Sequence, residues 1–129
     1  MRPSRIALLL SIAAVPALAA AQSAVSTAFP AGAEPVSADR LRALVSDRVF
    51  NVKPAVDPAW RIDYKESGYV FLNVATGLAD SGRWHTEEAK LCGTGWQRVP
   101  SGCGEVRAVG DRLYLKRASN GEVVALVPE

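Results

Sequence analysis

A chain of 129 residues, 49% of them hydrophobic and two of them cysteines, is long enough for one domain with its own core and too short for two. Its formal charge of +2 comes from 15 basic against 13 acidic residues, and Arg2 and Arg5 account for the whole excess. The remaining charges balance and are interspersed, which excludes the basic face that a nucleic acid or an anionic membrane requires.

Arg2 and Arg5 make a basic start, Ile6 to Val15 form an apolar run, and Pro16 is followed by Ala17, Leu18, Ala19, Ala20 and Ala21. That order predicts a secretory signal peptide over residues 1–21. Even extended to Ala21, the run falls short of the roughly 18 to 20 residues that cross a hydrocarbon core, and Ser11 and Pro16 interrupt it. No cysteine stands near the cleavage site to carry a lipid. The expected product is a soluble periplasmic or secreted chain of about 108 residues, with no membrane attachment after cleavage.

Residues 22–36 are rich in Ala, Ser, Thr, Gly and Pro, with Phe29 alone among aromatics and no regular period, and read as a flexible leader. A single β-rich domain is expected over residues 37–129. Ser37 can cap a short helix through its hydroxyl, with Asp39 in the first turn and Leu41, Leu44 and Val45 on one side, ending near Ser46. A helix this short must lie against something to be stable.

Beyond Arg48 the period becomes two. Val49 to Val52 read as a strand, and Trp60, Ile62 and Tyr64 then alternate with Arg61, Asp63 and Lys65. Glu66 to Gly68 supply a turn into Tyr69 to Val74, whose nearly unbroken apolar character predicts a strand that is either central in the sheet or covered on both faces. Further strands are expected at Arg83 to Thr86, near Trp96, and at Val106 and Ala108. After a turn at Gly110 and Asp111 come a strand carrying Leu113 and Leu115, a tight Asn120, Gly121 hairpin turn and a last strand over Glu122 to Val127. The fold class is mainly β, in the α+β sense: one short helix, then an antiparallel meander or small barrel of roughly six to eight strands.

Cys92 and Cys103, with glycines between them and an oxidising destination, are expected to form a structural disulfide. The spacing is not the Cys-x-x-Cys of an exchange-competent pair. The stretch Gly82, Arg83, Trp84, then Leu91, Cys92, Trp96, Cys103 and Val106, followed by Gly110, Asp111 and Tyr114, resembles a family of small secreted bacterial domains of unknown function. The resemblance spans about 35 residues and implies a periplasmic setting and a structural disulfide, with no catalytic residue to carry over.

Trp84 and Trp96 form a candidate aromatic platform for a sugar or other flat ligand, or else pack over the disulfide or in the barrel end. Lys116, Arg117 and Asn120 place two cations beside a hairpin that either enters a partner's cleft or is simply solvated. The one histidine, His85, should point outward if Trp84 points inward, and with Glu87 and Glu88 it makes a poor metal site, since zinc takes at least three protein ligands. Asp57, Asp63, Asp80, Asp111 and Glu122 are available as paired carboxylates but fall mostly at turns and strand ends. No phosphate loop, Gly-x-Ser-x-Gly elbow or His-Glu-x-x-His helix is present. No metal or other cofactor is expected. The leading expectation is a binding or accessory module of the cell envelope whose partner is an envelope protein or a small ligand. An inhibitor of an envelope hydrolase such as lysozyme is the alternative, and a small enzyme the third class.

Overall fold

The computed structural model describes residues 25–129; the expected signal peptide lies outside the described residues. The architecture is an eight-stranded antiparallel barrel with one extra strand and a single short helix. The extra strand β1 (Glu34–Pro35) precedes helix α1 (Ala38–Val45). The barrel then runs in simple meander order through β2 (Arg48–Val52), β3 (Trp60–Tyr64), β4 (Tyr69–Val74), β5 (Ala79–Glu87), β6 (Lys90–Thr94), β7 (Gly102–Val109), β8 (Arg112–Lys116) and β9 (Val123–Pro128). Pairing of Phe50 with Pro128 and of Asn51 with Val127 joins β2 to β9 and closes the ring. Closure removes the free edges that a meander would otherwise expose.

Strand alternation decides which side chains fill the barrel. Phe50, Val52, Tyr64, Val70, Trp84, Leu91, Val106, Ala108, Leu113, Val124 and Leu126 are buried and form one core. The outward set includes Arg61, Lys65, Arg83, His85, Glu105 and Arg107, a charged surface unlike the apolar belt of a lipid-facing barrel.

One end of the barrel is plugged. The Ser37 hydroxyl accepts from the Arg40 N–H at 3.3 Å and starts α1 where the sequence places it. Leu41 and Val45 are fully buried, and the Thr86 hydroxyl donates to the Ala38 carbonyl at 3.1 Å. The Arg40 guanidinium donates to the Gly110 carbonyl at 3.3 Å, so the helix reaches from β5 to the β7–β8 turn. A helix too short to stand alone is thus held by its apolar stripe and by hydrogen bonds at its N-terminal end.

One sequence alternative is decided, and the structure departs from the sequence reading at three places. Strand β4 is central in the sheet, between β3 and β5, and is the first of the two alternatives, with its outer face open: Tyr69 and Phe71 are 48% and 42% exposed. A barrel wall has only one inner face, and the Arg83 guanidinium lies 4.6 Å from the Tyr69 ring centroid, satisfying the outer aromatic electrostatically. The strand expected near Trp96 is β6, which stops at Thr94 and leaves Trp96 in the following loop. Asn120 and Gly121 do not form a two-residue turn. Backbone pairing ends with the Arg117 N–H donating to the Glu122 carbonyl at 2.8 Å, and only Gly121, at φ 74°, takes the left-handed region, so the connection is four residues long. Finally, residues 25–36, read as a leader, make specific contacts with the barrel. The Ser26 carbonyl accepts from Val123 N–H at 2.7 Å, Phe29 stacks under Arg107, and Glu34 and Pro35 pair with Ala108 and Arg107 along the edge of β7 that β6 leaves open.

Candidate functional site

The barrel interior is not completely filled by its side chains. A cavity of about 850 Å³ lies at the end opposite α1, among Trp60, Ile62, Tyr64, Leu72, Leu91, Leu115 and Leu126. An eight-stranded barrel is at the size limit where inward side chains either fill the lumen or leave room for one small ligand. Here the balance is tipped by Gly93, Gly102 and Gly104, which line the cavity where β6 and β7 could carry inward side chains.

Those glycines are occupied in part by residues arriving from elsewhere. A Cβ at Gly93 would lie 2.6 Å from the Trp96 Nε1, and one at Gly82 would lie 2.9 Å from the Trp96 ring and 2.6 Å from the Thr94 carbonyl oxygen. Trp96 therefore folds back from its loop and lies flat on Gly82 and Gly93, forming part of the cavity wall. At Gly104 a Cβ would meet the Leu115 Cδ1 at 2.5 Å, so Leu115 occupies the space that the missing side chain leaves.

Of the four loops at the open end, three line the cavity: residues 53–59, 95–101 and 117–122. Asp80 pins the second of them. Its carboxylate accepts from the N–H groups of Gln97, Arg98 and Val99 at 3.2, 2.7 and 3.1 Å, and from that of Ser81 at 2.8 Å. Desolvation works against the ionised form, but the four backbone donors together outweigh it and hold the carboxyl below its ordinary value. Glu122, 3% exposed, ties the other two loops together: it accepts from the Ala55 N–H at 2.9 Å and from the Arg117 guanidinium at 3.1 Å. Arg117 also reaches Asp57 at 2.6 Å and stacks over Trp60 at 4.9 Å.

The residues singled out by sequence fall in different places. Trp84 is core: it is 5% exposed, donates its Nε1–H to the Lys65 carbonyl at 2.7 Å, and stacks edge-on against Tyr64. Trp96 lines the cavity while Trp84 does not, so the two do not form a shared platform there. Lys116, Arg117, Ser119 and Asn120 all lie at the mouth. Arg117 is a neutralised strut with 18% of its side chain exposed, and the Asn120 side chain accepts from the Glu122 N–H at 3.0 Å. His85 points outward and pairs with Glu87 at 3.0 Å. The Cys92 sulfur near them belongs to the disulfide with Cys103, a directly opposed β6–β7 pair whose Cα atoms are 4.0 Å apart, and so offers no thiolate. The disulfide is compatible with an oxidising compartment.

Sequence reasoning missed Tyr64, Leu72 and Leu115 as cavity residues, and Asp80 and Glu122 as loop anchors. The legible signal was glycine on one face of consecutive strands, at 82, 93 and 104, where small residues next to large ones mark either a close approach or an unfilled space. Compared with protein-family models, with curated proteins and with solved structures, the chain matches none.

Proposed function

We propose that this protein is an exported binding module of the cell envelope, periplasmic or secreted, which takes one apolar small molecule into its barrel. The observation that carries the reading is the apolar cavity of about 850 Å³, open at one end between Trp60 and Trp96 and closed at the other by α1. Ligand sites are concave, mostly apolar and largely preformed, and this lumen has all three properties. Export rests on the apolar segment from Ile6 to Val15 together with the disulfide. The test is uptake of the neutral fluorophore N-phenyl-1-naphthylamine by the protein lacking residues 1–21. One probe per chain with enhanced emission is expected, and Leu72→Trp, which brings an indole into the lumen beside the probe, should lower its affinity. Absence of uptake, or uptake indifferent to Leu72→Trp, rejects the cavity as the binding site.

A second reading, inhibition of an envelope hydrolase, draws on the 117–122 loop. Glu122, Arg117 and Asp57 hold it rigid, and a preorganised loop loses little conformational entropy on entering a cleft. Here the protein should block lysozyme at near-stoichiometric ratio, and Lys116→Ala or replacement of Ser119 to Gly121 should relieve the block. Undiminished lysozyme activity in excess protein eliminates this reading.

A further inference from the structure

Tyr64 stands on the inner face of β3 near the plugged end, held edge-on between Phe50 and Trp84 at ring-centroid distances of 6.2 and 5.4 Å. It is 5% exposed and lines the cavity. No side-chain hydrogen bond among the described residues involves its hydroxyl, although Trp84 beside it has found the Lys65 carbonyl. Only one side-chain polar atom among the described residues, Asp63 Oδ1, is both fully enclosed and without a partner. The Tyr64 hydroxyl therefore keeps an accessible face, and the cavity is the space that this buried residue borders. A buried hydroxyl normally finds a partner, because an unmade hydrogen bond leaves its desolvation uncompensated. Burial, with no compensating group from the protein, also raises the phenol above its ordinary pKa, so it is a neutral donor and acceptor over the physiological range.

The rest of the lumen decides what kind of group can meet it. Around Tyr64 the walls are Val70, Leu91 and Leu126, all apolar and buried, with Phe50 and Trp84 packed against the Tyr64 ring outside the lumen. The charged lining residues, Asp57, Lys116 and Arg117, stand at the mouth, and Arg117 is already neutralised between Asp57 and Glu122. An ion carried to the bottom would lose its water and gain one hydroxyl in return, at a cost of several kcal/mol. A neutral oxygen loses far less and satisfies the orphan.

Resting on the cavity reading above, we infer that the ligand is a neutral lipophile with a single hydroxyl or carbonyl group, which enters polar end first and hydrogen-bonds the Tyr64 hydroxyl while its apolar body lies against Ile62, Leu72 and Leu115. A fatty carboxylate of the same length, by contrast, should keep its charged group at the mouth and not sense Tyr64.

The experiment is displacement of N-phenyl-1-naphthylamine by n-octane, 1-octanol and octanoate, in the wild type and in Tyr64→Phe. Tyr64→Phe is expected to lower 1-octanol affinity about fivefold, the factor that one net hydrogen bond supplies. The affinities of n-octane, which makes no hydrogen bond, and of octanoate should be unchanged in Tyr64→Phe. The unchanged n-octane affinity also reports that the variant is folded with its cavity intact. In the wild type, the ¹³Cζ resonance of Tyr64 should shift with 1-octanol and not with n-octane. Equal octanol binding in both proteins, or an octanoate affinity that falls with octanol's, overturns the inference and leaves the cavity reading standing. Failure of every compound to displace a bound probe overturns the inference alone, and failure of the probe to bind overturns both.

Discussion

Single atoms decide a good deal in this barrel. At Gly104 any side chain meets the Leu115 methyl at 2.5 Å and the Lys116 carbonyl oxygen at 2.6 Å, and the second contact is backbone that cannot move aside without distorting β8. Gly104→Ala is expected to destabilise by about 2 kcal/mol, typical of overpacking, as a lower urea midpoint at unchanged slope. Glu122 is a different case, a carboxylate with 4% of its side chain exposed that serves Arg117 and the Ala55 N–H together. Glu122→Gln removes the charge and keeps the shape. It should cost roughly 2 kcal/mol, below the 3–5 of a fully buried broken pair, since Arg117 retains Asp57 and some solvent. The sequence showed Glu122 as the first residue of a strand and Arg117 as a free cation beside a turn. Neither assignment revealed that they face each other across the four-residue connection, because that connection reads as a two-residue turn from Asn120 and Gly121 alone.

Among the elements, the 95–101 loop is the most informative, since it delivers Trp96 into the lumen and is fastened by Asp80. The Asp80 carboxyl is held below its ordinary value of 3.8, so the folded protein releases that proton more readily than the unfolded chain does. Its contribution is therefore fully present above pH about 4, and is lost as pH falls through the lowered folded value. Acidification below pH about 4 should shift the Trp96 indole NMR resonance as the loop loosens, and Asp80→Asn should show the loosened position already at neutral pH. A wild-type resonance that stays fixed down to pH 2 would count against the clamp. The disulfide acts beside this loop by closing the β6–β7 connection. Its reduction, or the Cys92→Ala, Cys103→Ala pair, should lower stability by roughly 3 kcal/mol on the loop-entropy account and leave the far-UV dichroism of the barrel in place. The cysteines and their pairing were readable from composition and spacing, whereas the role of Asp80 was not: a carboxylate near a turn looks alike whether it solvates itself or binds amides 17 to 19 residues away.

The molecule as a whole is a tube with one plugged and one open end. Leu41 is fully buried in the plug, so Leu41→Ala should cost about 3 kcal/mol in thermal or urea unfolding. Probe uptake through the opposite end should persist where the variant remains folded, because α1 packs on β2 and β5 away from the mouth loops. The sequence by itself determined the class of this architecture. Period-two alternation at Trp60 to Lys65 and at Arg112 to Lys116, punctuated by turn residues, requires half-buried antiparallel strands, and Ser37 with Leu41 and Val45 requires one docked helix. These are local properties, fixed by which side of a strand or helix each residue occupies. Closure of β2 on β9, the exposure of the outer face of β4 and the vacancy inside the barrel were decided by the tertiary structure alone. Each depends on residues from different strands and loops meeting at one place: Trp96 with Gly82, Gly104 with Leu115, Phe50 with Pro128. Inward-facing glycines state that side-chain volume is missing; only the closed ring determines whether a neighbour takes up that volume or a ligand does.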